Sequence, residues 1–275
     1  MREIKASLIW SRRWRLAVLL CGVSWVALPG PAYPQERKLS SESVKSALLQ
    51  LQQGEFSIID VRILAEAGEV QAIPALKAQF LLKKETQLKE YIASALFRLG
   101  EKDQIYWDCL EENARVAVEN DAPPIFLLDS QGNVMRGSGK FSPEFTEWAK
   151  AHNLDPGEAA QAQAYELPAY VAFLGWTGDQ RAQPVLRRGL ASRNVLIQSM
   201  AARGLAKLQD IESIPLIIEA CGKVPKEMVA FIARTLVFFD DPRAQAAAET
   251  FIANKQLLEE LRKHIRENGA DPFRF

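Results

Sequence analysis

Apolar residues recur along this chain at spacings of three and four, the spacing of one helix face, over most of its length. The pattern repeats at long range in the second half. Gln183-Pro184-Val185-Leu186 and Ile214-Pro215-Leu216-Ile217 place their prolines 31 positions apart. A further 31 positions lead to Ala246, inside Arg243-Ala244-Gln245-Ala246, which echoes Arg181-Ala182-Gln183-Pro184. Ile73-Pro74-Ala75-Leu76 is an earlier copy. Behind each proline come an apolar stretch, a short break and a second apolar stretch: Ala202, Leu205 and Leu208, then Ala233, Leu236 and Phe239, and in the early copy Ala93, Leu96 and Leu99. A leucine stands ten positions ahead of each repeat position, at Leu64, Leu174, Leu205 and Leu236.

The breaks have the chemistry of helix ends. Ser192-Arg193-Asn194 and Val224-Pro225-Lys226 separate first from second helices, and Gly100, Asp210 and Asp240-Asp241-Pro242 separate one repeat from the next. A proline in the first turn of a helix costs no hydrogen bond, because the amide it replaces has no partner within the helix. Pairs of antiparallel helices with alanines at their contacts cannot bury their apolar stripes alone, so neighbouring pairs must stack. The expected fold is all-α: a solenoid of stacked antiparallel helix pairs with a small insertion.

On these residues the chain resembles HEAT-repeat proteins, and Ile214-Pro215-Leu216-Ile217 followed by Ile232-Ala233-Arg234-Thr235-Leu236 carries the likeness. The short period is similar to the phycobilisome-lyase subtype. The likeness covers residues 67–103 and 174–252. HEAT repeats often stack an Asp in the turn with an Arg early in the second helix. Here Lys89, Gln198 and Val229 occupy the Arg place and the turns lack the Asp, so that ladder is absent or replaced. A different series, Arg62, Arg203 and Arg234, falls two positions before the repeat leucine. It is either a strip facing a ligand or a set of solvated arginines. A ligand strip predicts that Glu at 203 and 234 weakens binding and leaves melting unchanged.

Residues 104–165 interrupt the period. Residues 104–120 read as a helix burying Ile105, Trp107, Leu110 and Val116. Pro123 to Met135 reads as two short strands around a Gly-containing turn. A weaker likeness ties this stretch to the late hairpin of thioredoxin-like folds, but no redox cysteine pair accompanies it. Ser142-Pro143-Glu144 and Asp155-Pro156-Gly157-Glu158 open further helices, and Pro168 should kink or split the second. A two-stranded hairpin is marginal alone, so it should pack on helices. Insertions in repeat proteins tend to sit on the binding side. Phe126, Met135 and Arg136 therefore join Arg62, Arg203 and Arg234 as candidate partner-binding residues.

The amino terminus changes the picture of where the protein works. Ser11-Arg12-Arg13-Trp14-Arg15 precedes an apolar run from Leu16 to Leu28, too short to span about 30 Å of hydrocarbon. Pro29, Gly30 and Pro31 follow, and Gly30 and Ala32 suit a cleavage site after residue 32. Residues 1–32 read as an export signal, with an uncleaved amphipathic anchor as the alternative. Arg12-Arg13 resembles a twin-arginine signal, although Arg15 stands where an aromatic is usual. Leu20 argues against lipid attachment at Cys21. The expected layout is residues 33–103 for the first helix pairs, 104–165 for the insertion, 166–254 for the later repeats, and 255–275 for a capping helix and tail.

Formal net charge is zero. Residues 1–32 hold a surplus of four cations, so the remainder is mildly acidic and has no general attraction to nucleic acid or anionic lipid. Cys109 and Cys221 remain; they read as two buried thiols rather than a disulfide. His152 and His264 are far apart and lack companions at ligand spacing, so no metal is expected. No phosphate loop, GxSxG elbow or paired acid site appears, and no cofactor is expected. Trp107, Trp148 and Trp176 read as packing residues at the seams of the insertion. The leading expectation is an exported, non-enzymatic scaffold binding a protein or peptide partner. The alternatives are a lyase-like enzyme or subunit, which the resemblance implies, and a self-associating envelope component.

Overall fold

The computed structural model describes residues 40–125, 127–128 and 140–273. The export signal expected at residues 1–32 lies outside the described residues. Helices α1 (Ser41–Gln53) and α2 (Ile58–Ala67), α3 (Ile73–Leu82) and α4 (Thr86–Arg98), and α5 (Gln104–Val118) open the chain. After strands β1 (Leu127–Leu128) and β2 (Lys140–Phe141) come α6 (Pro143–Ala151), α7 (Pro156–Gln161) and α8 (Leu167–Trp176). Then follow α9 (Gln183–Gly189), α10 (Val195–Lys207), α11 (Ile214–Lys223), α12 (Val229–Ala233), α13 (Pro242–Phe251) and α14 (Lys255–Asn268). The architecture is the expected all-α solenoid.

The repeat register is visible in the starts and stops of these helices. A single 3-10 turn precedes α3, α9 and α11, at Val70–Ala72, Gln180–Ala182 and Ile211–Ser213, and proline is the second residue of each helix. The fourth copy begins at Pro242, so Ala246 lies inside α13 rather than at its start. Its likeness to the copy at Arg181 is a shared cap. Asp179 accepts from the Arg181 amide at 3.1 Å and its side chain at 3.0 Å, and Asp241 does the same for Arg243 at 2.8 and 3.0 Å. Four residues after the repeat leucines, the chain turns through a left-handed residue: Gly68, Gly100, Gly178 and Gln209, with φ of 68°, 98°, 66° and 51°. Glycine adopts that conformation without a Cβ clash. Gln209 offsets the strain by bridging pairs: its amide donates to the Ala206 and Phe238 carbonyls and its oxygen accepts from the Asp240 amide.

Second helices stack on second helices, with α2 on α4, α4 on α8, α8 on α10, and α10 on α12. Leu64, Leu96, Leu174, Leu205 and Leu236 are fully buried in one continuous core. Serines tie neighbours together: Ser94 donates to the Phe173 carbonyl at 3.0 Å and Ser199 to the Phe231 carbonyl at 2.7 Å. The polar ladder is replaced by Arg187 on α9, which grips the Asp210 carboxylate through two hydrogen bonds of 2.7 and 2.6 Å and reaches Glu212. Helices α8 and α10 approach backbone to backbone. A Cβ on Gly175 would lie 2.8 Å from the Cα of Gly204.

Helix α5 belongs to the repeat stack. It packs along α8 and α4, so α5 and α8 form the third pair, and the segment between them splits that pair instead of separating two pairs. Tyr106 and Trp107 take the buried face of α5, while Ile105 and Val116, expected inside, are 54% and 49% exposed. Strand β2 pairs with β1 at Lys140–Phe141, well beyond Met135, where the sequence pattern ended the hairpin. The splitting segment has a small core of its own: Ala122, Phe145, Ala149, Ala159 and Ala160. A buried amide chain fastens it: Asn194 donates to Gln163, and Gln163 donates to Asn120 at 2.6 Å. Pro168 does not break the helix. A π turn over Ala162–Glu166, with the Leu167 amide reaching back to Ala162, lets α7 run on into α8.

Two substitutions test this packing. Leu205→Ala removes a fully buried side chain and is expected to lower stability by about 2–5 kcal/mol in denaturant unfolding. Gly175→Ala adds one methyl against backbone and is expected to cost about 1–3 kcal/mol in the same assay. A neutral result for either would mean that the α8–α10 contact is misplaced.

Candidate functional site

The six residues singled out from sequence separate in space. Arg62 on α2 is half-buried and pairs with Glu66 one turn on, at 2.6 Å. Arg234 is half-buried, with its guanidinium 5.7 Å from the Phe231 ring. Arg203 is only 3% exposed, so it cannot line an open surface. It lies on α10, which is flanked by α8 and α12 on its two sides, and a position that would face water on a lone helix is covered there. Glu at 203 would place a carboxylate in the core, so the expectation of an unchanged melting point fails for that residue. Phe126, Met135 and Arg136 lie outside the described residues.

The structure brings together a different basic group. Arg98 on α4 and Lys207 on α10 stand two positions after their repeat leucines. Trp176 holds the same place on α8, and the Arg98 guanidinium lies 4.4 Å from its ring and donates to its carbonyl at 3.3 Å. Lys207 reaches across 64 residues to the Asp271 carboxylate at 2.7 Å. Burial alone would raise the Asp271 carboxyl. The hydrogen bond and charge of Lys207, with the charge of Arg98, outweigh it and hold the group below its ordinary value. Arg62 also feels the charge of Asp271. Beyond Asp271, Pro272 and Phe273 are buried, and the Asp271 carboxylate accepts from the Phe273 amide at 3.1 Å. The signal for this site was the repeat position two after the leucine; nothing local in sequence reveals that residues 271–273 return to it.

A second polar cluster is buried at the joint of α4, α5 and α8. Glu90 is fully buried and neither carboxylate oxygen has a hydrogen-bond partner. The nearby Asn113 amide donates instead to the Cys109 carbonyl at 3.0 Å. Desolvation pushes the Glu90 carboxyl well above its ordinary value, which the proximity of Asn113 only partly opposes. Desolvation, with the charge of Glu90 behind it, pushes the Cys109 thiol up to about 12, and the Tyr170 hydroxyl rises for the same two reasons. Burial also raises Glu166. A thiol held protonated is a poor nucleophile. Cys221 is buried and its thiol is likewise raised by desolvation to about 12; both cysteines are free. Among the described residues no group of three His, Cys, Asp or Glu side chains could hold a metal ion.

Residues 197–223 match the family model of the PBS lyase HEAT-like repeat. This segment is similar to that repeat, and it lies within an all-α solenoid of HEAT-like helix pairs. The match spans α10 and α11, the second helix of one pair and the first of the next. No curated protein matches the chain. Among the described residues no helix is long and apolar enough to cross a membrane.

Glu90 gives a pH prediction with a definite sign. The folded carboxyl binds its proton more tightly than the unfolded one, so its contribution destabilises the fold progressively as pH rises above the unfolded value. Glu90→Gln is therefore expected to raise stability at pH 7, with the gain shrinking as pH falls to the ordinary carboxyl range. Denaturant unfolding across that range measures it; a pH-independent difference would refute the assignment.

Proposed function

We propose that this protein is an exported HEAT-repeat scaffold that binds a protein or peptide partner through the surface of its second helices and performs no chemistry of its own. One observation carries the reading. The second-helix face already holds a short turn of chain, residues 271–273, through an ion pair to Lys207 and a buried aromatic ring. A stack of helix pairs offers such a face continuously, with no reactive centre required. The cysteines held protonated and the buried Glu90 carboxyl support binding rather than catalysis. Export rests on the basic and apolar pattern of residues 1–28 and the small residues at Gly30 and Ala32.

The match over residues 197–223 favours a second reading, a lyase-related subunit. On the scaffold reading, mixing the protein with a bilin gives no absorbance shift; a shift that survives denaturation would establish the lyase reading instead.

Two measurements test the proposal. In a bacterial host the secreted form is expected to begin at Tyr33, and recovery only of a cytoplasmic form starting at Met1 would overturn export. Immobilised protein is expected to capture a partner from envelope extract, and Arg62→Glu is expected to reduce capture several-fold with melting within a few degrees of wild type. Failure to capture anything at any ionic strength would overturn the scaffold reading.

A further inference from the structure

The segment that follows α14 is held by contacts that a separate peptide could reproduce. The helix ends at Gly269, where φ is 83°, and the chain turns back. Lys207 binds the Asp271 carboxylate at 2.7 Å, and Arg98 and Arg62 add positive charge around it. Pro272 fixes the backbone between acid and aromatic. The Phe273 ring then sits over the glycine contact of α8 and α10: its tip lies 3.1 Å from where a Cβ on Gly175 would stand. Gly175 and Gly204 thus let two helices touch, and the missing side chain at Gly175 also leaves room for the tip of the Phe273 ring.

We propose that this face, lined by Gly175 and edged by Lys207 and Arg98, is a docking site for a partner protein's turn-forming segment carrying Asp two residues ahead of Phe, and that residues 271–273 hold it closed. The inference rests on the scaffold reading and names the surface and the ligand chemistry. The charge complementarity selects a carboxylate, and the space left by Gly175 admits the tip of a ring. The internal segment is joined to α14 by Gly269 and Ala270 alone, so it competes at the high effective concentration of a short linker, in the mM range. A partner must displace it, and the intact protein binds more weakly than one whose own segment has been disabled.

The test uses the full chain and a labelled synthetic peptide, Ala-Asp-Pro-Phe-Arg-Phe, read by fluorescence anisotropy. Phe273→Ala is expected to bind the peptide at least ten-fold more tightly than wild type. Adding Lys207→Glu, or replacing the first Phe of the peptide with Ala, is expected to abolish binding. A folded Phe273→Ala protein that binds no peptide overturns the proposal. Should that variant lose its helical signal, Asp271→Asn, which keeps the ring, decides: tighter peptide binding than wild type supports the site, and unchanged absence of binding overturns it. Capture from envelope extract that persists while the peptide fails overturns this site alone; failure of both overturns the scaffold reading as well.

Discussion

Each helix pair in this protein carries more apolar surface than it can cover by itself, and the neighbour is the only thing that covers it. That mutual dependence fixes the spacing of the second helices, and Gly175 of α8 meets Gly204 of α10 with no room for a Cβ between them. A side chain at either place would separate the two helices and open the core on both sides, because Leu174 and Leu205 are packed immediately next to them. The close contact depends on α8 being a repeat helix, in register with α4 before it and α10 after it.

The same constraint explains where polar groups are tolerated. Ser94, Ser199 and Gln209 each donate a hydrogen bond to a backbone carbonyl of an adjacent pair, so polarity in the stack serves registration. Asn120, Gln163 and Asn194 do this for the splitting segment. Glu90 is the exception, a fully buried acid with no hydrogen bond at the joint of α4, α5 and α8, kept neutral by its surroundings.

The period of the fold was legible because identical residue classes recur at identical places: the repeat leucines are all at zero exposure, and the prolines open α3, α9 and α11. Helix α5 escaped that reading. It starts at Asp103-Gln104 without a proline, and its burial falls on Tyr106 and Trp107 instead of Ile105, a choice made by the aromatic neighbours Phe80 and Phe97. The hairpin register moved because pairing at Lys140–Phe141 lets Phe141 meet Phe145. Of the candidate site, the arginine series was readable as a register position, but its surroundings were not. Periodicity locates Arg203 on a helix; it does not reveal that both flanks of that helix are covered. The partnership of Lys207 with Asp271 is a long-range contact with no local trace.

The split third pair has a consequence for how the chain reaches this structure. Elsewhere a helix meets its partner across a short turn, so contacts form at low entropic cost and order can spread from pair to pair. Helix α5 must instead find α8 across the whole of residues 119–166, a longer loop to close. Order can therefore start independently on either flank, in residues 41–118 and again beyond residue 183, with α8 as the keystone that joins the two. A lesion confined to that keystone would leave two half-formed arrays with exposed apolar ends, the state in which a repeat protein is most exposed to aggregation.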